Sequence, residues 1–368
     1  MKIVVFCLAV PFFVGSASGE NINDQGWAVA VPGYHMAFPR DHFAHYQFRT
    51  EWWYFTGNLK TTDGRAFGYQ LTFFRHGYRP PRDQEPVTSR FVMNDVKFAH
   101  FAVTDVDAGK FHFADRVSRG AFGEAGFGDE AKLAWIDNWE LDFEGDFRLT
   151  AAAKDYAIQL VLRPEKPVVL QGENGLSQKA DGKGHASYYY SITRLSTSGL
   201  IKIGNTNYAV EGSSWFDREW ATNQLAPEQS GWDWFAIQLS DGSDMMLYRM
   251  RHKDGSIDSH SGGKWIAADG STTNLGADEF QLESEKSWKS PTSKTTYPIE
   301  WRLTIPKLGL ELQVVPPVMN QELNLAVVYW EGCIRLMGRR AGKSVNGVGY
   351  MELTGYQGEA PGLAGSTH

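Results

Sequence analysis

The sequence predicts an all-β protein of up-and-down antiparallel strands, arranged as barrels or sandwiches. Three observations favour this fold class. Apolar and polar residues alternate with a period of two, Asp-Gly pairs recur between the alternating segments, and helical periodicity is almost absent. An aromatic content of 14% and 38 glycines agree with it, because they indicate large packed side chains and many tight turns. At 368 residues the chain is long enough for two domains.

Seven segments have the alternation that is typical of half-buried strands. They are residues 65–75, 138–151, 155–163, 245–251, 278–284, 297–306 and 324–338. The Asp-Gly pairs are strong hairpin signals, because both central residues of a type I′ turn need positive φ. These pairs are Asp63-Gly64, Asp181-Gly182, Asp241-Gly242, Asp254-Gly255 and Asp269-Gly270. We therefore expect antiparallel neighbours joined by short turns.

A weak internal repeat suggests how the strands are divided. Residues 51–75 and 231–251 both open with tryptophans and have an Asn or Gln residue before a leucine. Each then contains an Asp-Gly turn and a second strand whose last residue is an arginine. An aromatic-rich β protein can also produce this likeness by chance. If the repeat is real, the chain forms two related, superposable antiparallel barrels.

The repeat gives the expected domain boundaries. An N-terminal barrel would occupy residues 30–225 and a C-terminal barrel residues 231–356, with the polar segment 221–230 at the join. Residues 357–368 would be a flexible tail. Pockets concentrate where domains meet, so we expect a binding site near the interface of the two barrels.

The N-terminus has the features of a secretory signal peptide. An early lysine precedes an apolar run from Ile3 to Val14, and small residues follow at 16–19, so we expect residues 1–19 to be removed. Only Cys333 then remains, which excludes an internal disulfide and suits a bacterial periplasm. No later segment approaches the roughly 18 apolar residues of a membrane span. The predicted location is periplasmic or secreted.

Charge and motifs exclude several function classes. A net charge of −7 and a pI near 5.8 argue against a nucleic-acid partner. The sequence has no HExxH, CxxC or P-loop motif, and the S-x-x-K at Ser261 to Lys264 has no supporting motifs. His42 and His45 are candidate metal ligands by type, but two histidines in an aromatic loop are more typical of hydrogen-bonded structure. We expect neither a metal nor another cofactor.

The segment VEGSSWFDREW, residues 210–220, places three charges beside two tryptophans. In a strand, Trp215, Asp217 and Glu219 share one face, and the residues between them share the other. One interpretation is a set of Arg–carboxylate pairs that close the end of a barrel. The other is a carboxyl group held against apolar walls, where desolvation favours the protonated acid.

Aromatic clusters accompany this segment. They are Trp52 to Phe55, Tyr188 to Tyr190, Trp215, Trp220, Trp232 and Trp234. Core packing is the usual role of each such side chain. Consecutive aromatic residues on a strand point to both faces, however, so one set must meet a neighbouring domain, a ligand or solvent.

The segments 41–59, 188–195, 211–220 and 231–242 resemble the AttH-type lipocalin-like proteins, which are relatives of the carotenoid 1,2-hydratases. The resemblance runs from about Val31 to Tyr356, and the motifs EWWYFTGNL and SWFDREW carry it. It implies two lipocalin-like β-barrels with a pocket at or near their interface. The activities of such proteins include hydration of isoprenoid double bonds, hydrolysis, and pericyclic chemistry in fungal relatives.

The resemblance also implies which residues act. Asp217 corresponds to the acid of the hydratases, with Trp215 beside it. Tyr188 and Tyr190 stand where the hydratases use His and Trp, which is a departure from their pattern, and together with Glu219 they complete the candidate catalytic set. The candidate substrate-binding residues are His45, Glu51, Trp53, Trp215, Trp220, Trp234 and Gln238.

Hydration gives these residues a chemical purpose. Water adds to an isolated alkene only when a proton reaches carbon and the resulting carbocation is stabilised. Asp217 would deliver the proton, and the faces of Trp215 and Trp53 would favour the cation by about 2 kcal/mol through cation–π interaction. Glu219, roughly 7 Å along the same face, would help to keep one acid protonated, while Arg218 on the opposite face would anchor the strand.

The sequence therefore predicts a cofactor-independent hydratase or hydrolase for an apolar isoprenoid or lipid-like substrate. A non-catalytic carrier of a hydrophobic small molecule is the alternative, and a purely structural role for the charges is a third interpretation. An exporter or another membrane-associated system that supplies the apolar substrate is a further candidate partner.

Overall fold

The computed structural model describes residues 21–83, 92–223 and 225–357. The expected signal peptide at residues 1–19 lies outside the described residues, as do positions 358–368 of the expected tail. Two curled antiparallel sheets make up the described protein and form barrel-like domains, which confirms the predicted all-β class. No helix in the described part of the chain is long and apolar enough to cross a membrane.

The first sheet contains the strands of the N-terminal barrel. They are β1 (Thr50–Lys60), β2 (Ala66–Gly77), β3 (Asp95–Asp105), β4 (Lys110–Ser118), β5 (Ala125–Phe127), β6 (Lys132–Ile136), β7 (Trp139–Glu144), β8 (Asp146–Ala152), β9 (Tyr156–Pro164), β10 (Val169–Leu170), β11 (Leu176–Gln178), β12 (Ala186–Ile203) and β13 (Thr206–Ala221). Short 3-10 segments lie at Arg40–His42, Pro81–Asp83 and Ala121–Gly123.

The second sheet contains the strands of the C-terminal barrel. They are β14 (Gln229–Leu239), β15 (Asp244–His252), β16 (Gly262–Ile266), β17 (Thr272–Gly276), β18 (Gln281–Lys289), β19 (Thr296–Ile305), β20 (Leu310–Val315), β21 (Glu322–Asn324), β22 (Val328–Arg340) and β23 (Lys343–Leu353). A 3-10 segment at Pro306–Leu308 joins β19 to β20.

The two sheets have the same kind of strand order. The first runs β4-β3-β2-β1-β13-β12-β9-β8-β7-β6-β5, and the second runs β17-β16-β15-β14-β23-β22-β20-β19-β18. In each sheet the opening strand pairs with its hairpin partner on one side and with the final strand of the sheet on the other. The two stretches that resemble each other in sequence, 51–75 and 231–251, occupy equivalent places, the β1–β2 and β14–β15 hairpins.

The Asp-Gly pairs lie in turns, but not in the turn type that was expected. The glycines have positive φ, from 84° at Gly242 to 95° at Gly182, whereas the aspartates that precede them do not. In the β1–β2 turn the Gly64 amide donates to the Thr61 carbonyl at 3.0 Å. The turn is therefore a type I turn followed by a glycine in the left-handed region, and not a type I′ turn. This arrangement needs positive φ at the glycine alone.

Two predicted strands are each divided in the structure. The run 138–151 forms β7 and β8, because Gly145, with a φ of 88°, turns the chain between them. The run 324–338 spans the end of β21 and the start of β22. Period-two alternation continues across a tight hairpin, so the pattern alone does not mark the turn.

A buried charge network fixes the inner face of β13 inside the N-terminal barrel. Arg218 is fully buried, forms a salt bridge with Glu51, and lies over the Trp53 ring at 3.8 Å. Arg75 forms a second salt bridge with Glu51, at 2.5 Å. His45 stacks on Trp220 with ring centroids 3.8 Å apart. Arg218 thus has the anchoring role predicted for it.

Replacing the shared carboxylate should be strongly destabilising. Glu51→Gln leaves Arg75 and Arg218 buried without their counter-charge, so the free energy of unfolding should fall by about 3–5 kcal/mol. Urea denaturation followed by tryptophan fluorescence measures this. The matched control is Asp146→Asn, which breaks a surface pair with the 70%-exposed Arg163 and should cost less than about 1 kcal/mol. Equal effects of the two changes would contradict the anchoring role.

Candidate active site

A cavity of about 640 Å³ lies between the two barrels. Its walls are the outer faces of strands from both sheets, mainly β1, β2, β3 and β13 on one side and β14, β22 and β23 on the other. This volume is in the range of pockets that hold small organic molecules. The position agrees with the expected pocket near the domain interface.

Strand register arranges the N-terminal wall in rows of neighbouring side chains. One row, called the polar row here, consists of Asp217, Tyr54, Thr72 and His100, each opposite the next on adjacent strands. The next row, the aromatic row, consists of Glu219, Trp52, Phe74 and Phe98. The polar row is buried, whereas the three aromatic side chains of the second row are half-buried.

The C-terminal barrel contributes a third row opposite these two. Trp234 on β14, Glu352 on β23 and Glu331 on β22 are cross-strand neighbours, and all three line the cavity. The Trp234 ring meets the Tyr54 ring edge-on, with centroids 5.2 Å apart. The cavity is therefore polar at its buried end and aromatic toward its more accessible side.

Asp217 is a buried acid that is held by hydrogen bonds from three side chains. Tyr189 donates to Oδ2 at 2.5 Å, while Ser191 and the Trp215 indole donate to Oδ1 at 2.5 and 2.7 Å. Desolvation raises the pKa of Asp217 to about 7, although the three hydrogen bonds oppose this rise. The charge of nearby Glu219 adds a smaller increase in the same direction.

Glu219 has a different environment from Asp217 on the same strand face. The Ser187 hydroxyl donates to its carboxylate, and Lys179 Nζ lies 3.4 Å from Oε1. Lys179 also lies 4.3 Å from the centre of the Tyr248 ring. Glu219 is thus paired with a cation, whereas the side chains that hold Asp217 are uncharged hydrogen-bond donors.

Two more acids face the cavity from the C-terminal barrel. Burial raises the pKa of Glu331 well above its usual value, and the charge of Glu352 raises it further. Burial also raises the pKa of Glu352 to about 7, while a hydrogen bond from the Trp232 indole, at 3.0 Å, opposes the rise. Neither acid was among the residues predicted from the sequence.

Six of the predicted site residues face the interior of the N-terminal barrel and not the cavity. They are the candidate catalytic residues Tyr188 and Tyr190 and the candidate binding residues His45, Glu51, Trp53 and Trp220. Strand parity is the physical reason, because side chains on alternate positions of β1, β12 and β13 point to opposite faces. Trp53 cannot offer its ring to a ligand there, since Arg218 and Phe127 cover its faces.

These inward-facing residues hold the segment that precedes β1. The Tyr188 hydroxyl donates to the Val31 carbonyl at 2.8 Å, and the Trp53 indole donates to the His42 carbonyl at 2.8 Å. His42 Nδ1 lies 2.6 Å from the Tyr190 hydroxyl. These hydrogen bonds indicate a structural role, in which the inward-facing residues fix the segment before β1 to the inside of the N-terminal barrel.

The remaining predicted residues lie at the interface of the barrels. Trp234 lines the cavity directly, and its indole donates to the Tyr189 hydroxyl at 3.2 Å. Trp215 packs behind Asp217 and orients it. Gln238 lies outside the cavity, where its amide donates to the carbonyls of Thr193 and Ser214 and links the two sheets.

Sequence reasoning missed Tyr189, Glu331 and Glu352. Tyr189 and Ser191 share the face of Asp217 because β12 pairs with β13 in a register that places Ser191 opposite Asp217. Glu331 and Glu352 each interrupt an apolar strand, in VYWEGC and GYMEL. A lone carboxylate in an otherwise apolar strand was the available signal.

The family model that describes AttH-like proteins matches residues 29–356. This chain belongs to the AttH-like family. A crystal structure of an AttH protein from Nitrosomonas europaea is 36% identical to it, with a TM-score of 0.80, over 89% of this chain and 99% of that chain. The resemblance inferred from EWWYFTGNL and SWFDREW is therefore confirmed. No curated protein matches the chain.

Two more distant structures share the fold. Kievitone hydratase from Nectria haematococca is 16% identical, with a TM-score of 0.67, over 91% of this AttH-like chain and 98% of the hydratase. CghA in complex with Sch210972 is 13% identical, with a TM-score of 0.54, over 92% of this chain and 98% of CghA. At these identities the similarity establishes a common architecture.

The raised pKa of Asp217 has a consequence for stability. A carboxyl whose pKa is higher in the folded than in the unfolded state binds more protons when folded, so stability falls as the pH rises from about 4 to about 7. Asp217→Asn cannot ionise, and its amide can donate to Tyr189 as the protonated acid would. Between pH 5 and pH 8 it should lose less stability than the wild type, by up to about 3 kcal/mol.

Urea denaturation at the two pH values measures this difference. Glu219→Gln is the comparison variant, because it removes an acid on the same strand face that is paired with Lys179. It should keep most of the stability difference that the wild type shows between the two pH values. An equal loss of stability in the wild type and in Asp217→Asn would show that Asp217 is ionised throughout this pH range.

Proposed function

We propose that this protein is a hydratase that adds water to a carbon–carbon double bond of an apolar, isoprenoid or lipid-like substrate. The observation that carries the proposal is Asp217, a buried acid with a pKa near 7 that faces an aromatic-lined cavity. A general acid works best when its pKa is close to the working pH. Kievitone hydratase, which shares the fold, bears a name that states the same class of reaction.

Proton delivery to carbon is the first step. Asp217 holds the proton, and the Tyr189 hydroxyl is its hydrogen-bond partner at 2.5 Å. Trp215 and Ser191 fix the other carboxyl oxygen, so Oδ2 carries the transferable proton. Because the Trp234 indole also donates to Tyr189, the tyrosine hydroxyl is held in a position to pass a proton between Asp217 and the substrate.

Stabilisation of the carbocation is the second requirement. Trp52, Tyr54 and Trp234 line the cavity and take the role that was expected of Trp53 and Trp215. A cation over a desolvated aromatic face gains about 2 kcal/mol. Capture of the cation by water, followed by loss of a proton from that water, completes the addition. Acid-assisted hydrolysis would use the same acid but has no need of the aromatic walls.

Asp217→Asn tests the catalytic proposal. Purified protein is incubated with isoprenoids that end in a trisubstituted alkene, from citronellol to squalene, in isotopically labelled water, and the alcohol is detected by mass spectrometry. The wild type should form labelled alcohol from at least one of them. Asp217→Asn should fold normally but turn over at least about 100-fold more slowly, because the acid is absent.

The control is Asp146→Asn, a surface change on the outside of the N-terminal barrel, which should keep wild-type turnover. Binding of these isoprenoids without any labelled product would favour the carrier function. Unchanged turnover in Asp217→Asn would contradict the role of Asp217.

We also propose that the protein is exported to the periplasm or secreted. The support is the signal-peptide pattern of residues 1–19 and the single cysteine, Cys333, that follows it. N-terminal sequencing of the protein from its native host should begin between about Gly19 and Asn21. Recovery of the intact Met1 in the cytoplasmic fraction would contradict export.

A further inference from the structure

The Glu331–Glu352 pair in the C-terminal barrel is not used by the proton-delivery step. The two residues lie opposite each other on β22 and β23, and both face the cavity. Glu331 is 1% exposed, and Glu352 is partly accessible from the cavity. Like charges directly opposite on neighbouring strands repel each other, so the pair tends to hold at least one proton.

Neither acid has a cationic partner in the described part of the chain. The groups that influence Glu331 are Glu352 and the hydroxyls of Tyr54 and Tyr329, and those that influence Glu352 are Trp232, Glu219 and Asp217. Glu331 Oε1 and the Tyr54 hydroxyl are both buried, and neither has a hydrogen-bond partner of acceptable geometry. Polar atoms of this kind normally bind a ligand or water.

The cations that line the cavity either lie away from the Glu331–Glu352 pair or are paired with another residue. Lys179 pairs with Glu219. Arg49 lies near His76, whose pKa is lowered to about 4 by burial and, to a smaller extent, by the charge of Arg49. Burial lowers the pKa of His100 to about 4, and its Nδ1 lies 2.7 Å from the Tyr329 hydroxyl, so His100 is neutral.

The remaining titratable groups around the pair are acidic or neutral. Asp217 faces it from β13, and Asp115 lines the cavity from β4. Burial raises the pKa of Tyr350 on β23 well above its usual value, so this phenol stays neutral. The buried end of the cavity therefore has more carboxyl groups than cations.

Aromatic faces surround this acidic end. Trp232 donates its indole to Glu352, and Tyr54 and Trp234 lie in edge contact beside it. Carboxylates combined with aromatic faces are the surroundings that bind organic cations in proteins. An unpaired buried carboxylate is also costly, and a bound cation would relieve that cost.

We propose that the Glu331–Glu352 pair and the aromatic side chains around it form a binding site for an organic monocation with an aliphatic body. Its catalytic role rests on the hydration proposed above, in which this cation is the carbocation intermediate. The proton of Asp217 bonds to one alkene carbon and leaves the other carbon positive. Water then forms the new C–O bond and gives its extra proton to the carboxylate of the pair. The pair releases that proton to solvent and Asp217 takes one up, so the net reaction is the addition of one water molecule to the alkene.

A stable ammonium ion tests the site without any turnover. Octyltrimethylammonium and 1-octanol have the same aliphatic chain, but only the first is charged. Isothermal titration calorimetry is carried out below the concentration of micelle formation, at pH 6 and pH 8, in buffers of different protonation enthalpy. The ammonium ion should bind at least about 10-fold more tightly than octanol at pH 8.

The ammonium affinity should also rise by about 10-fold from pH 6 to pH 8, because the cation binds the pair when one of its two carboxyl groups is ionised. Binding at pH 6 should therefore release a proton. The double variant Glu331→Gln and Glu352→Gln should bind ammonium at least about 10-fold more weakly at pH 8 and keep only the smaller pH dependence that the ionisation of Asp217 contributes. Its affinity for octanol should be unchanged, which shows that the cavity is intact. Glu283→Gln, at a 64%-exposed carboxylate, is the matched surface control and should behave as the wild type does.

Equal affinities for octyltrimethylammonium and octanol in the wild type would overturn the inference. So would wild-type ammonium affinity in the double variant. If the ammonium ion binds as expected but no isoprenoid is hydrated, the hydratase proposal fails and the cation site stands. If hydration depends on Asp217 but the ammonium ion is not preferred, the cation site alone fails.

Discussion

The two-residue alternation of β13, fixed by the burial of Arg218, is the constraint on which the rest of the site depends. Arg218 sits inside the N-terminal barrel between Glu51 and the Trp53 ring. A shift of one residue would bring Asp217 into that core and expel the arginine, so the register has little freedom. With Arg218 held inward, Asp217 and Glu219 must face outward, toward the C-terminal barrel.

The second barrel makes an outward-facing acid into a buried one. Without it, Asp217 would lie on a solvated sheet face, where a carboxyl has its ordinary acidity. Trp234 from β14 and Glu352 from β23 cover this face, and Asp217 is buried beneath them. The same contact that desolvates Asp217 also adds the Glu331–Glu352 pair. Buried acids without cationic partners lower stability, which is a common cost of functional sites.

The N-terminal barrel therefore has two different polar regions separated by one layer of sheet. Its interior region pairs arginines with carboxylates and ties the segment before β1 to the barrel wall. Its outer region, facing the cavity, has Asp217, whose pKa is raised by burial, and few cations. Tyr188 and Tyr190 belong to the first region, and Tyr189 belongs to the second. Three consecutive tyrosines thus serve two purposes.

The sequence by itself determined the all-β class, the turns at the Asp-Gly pairs and the family, because turn residues and strand alternation are local properties. It also determined that Trp215, Asp217 and Glu219 share a face opposite Arg218. Only the tertiary structure decided which face meets the cavity. Period-two alternation divides a strand into two sides, but register with distant strands decides what each side contacts. Tyr189 joins Asp217 through the β12–β13 pairing, 28 positions away along the chain, and Glu331 and Glu352 enter the site through packing of one barrel on the other. No local pattern encodes these contacts.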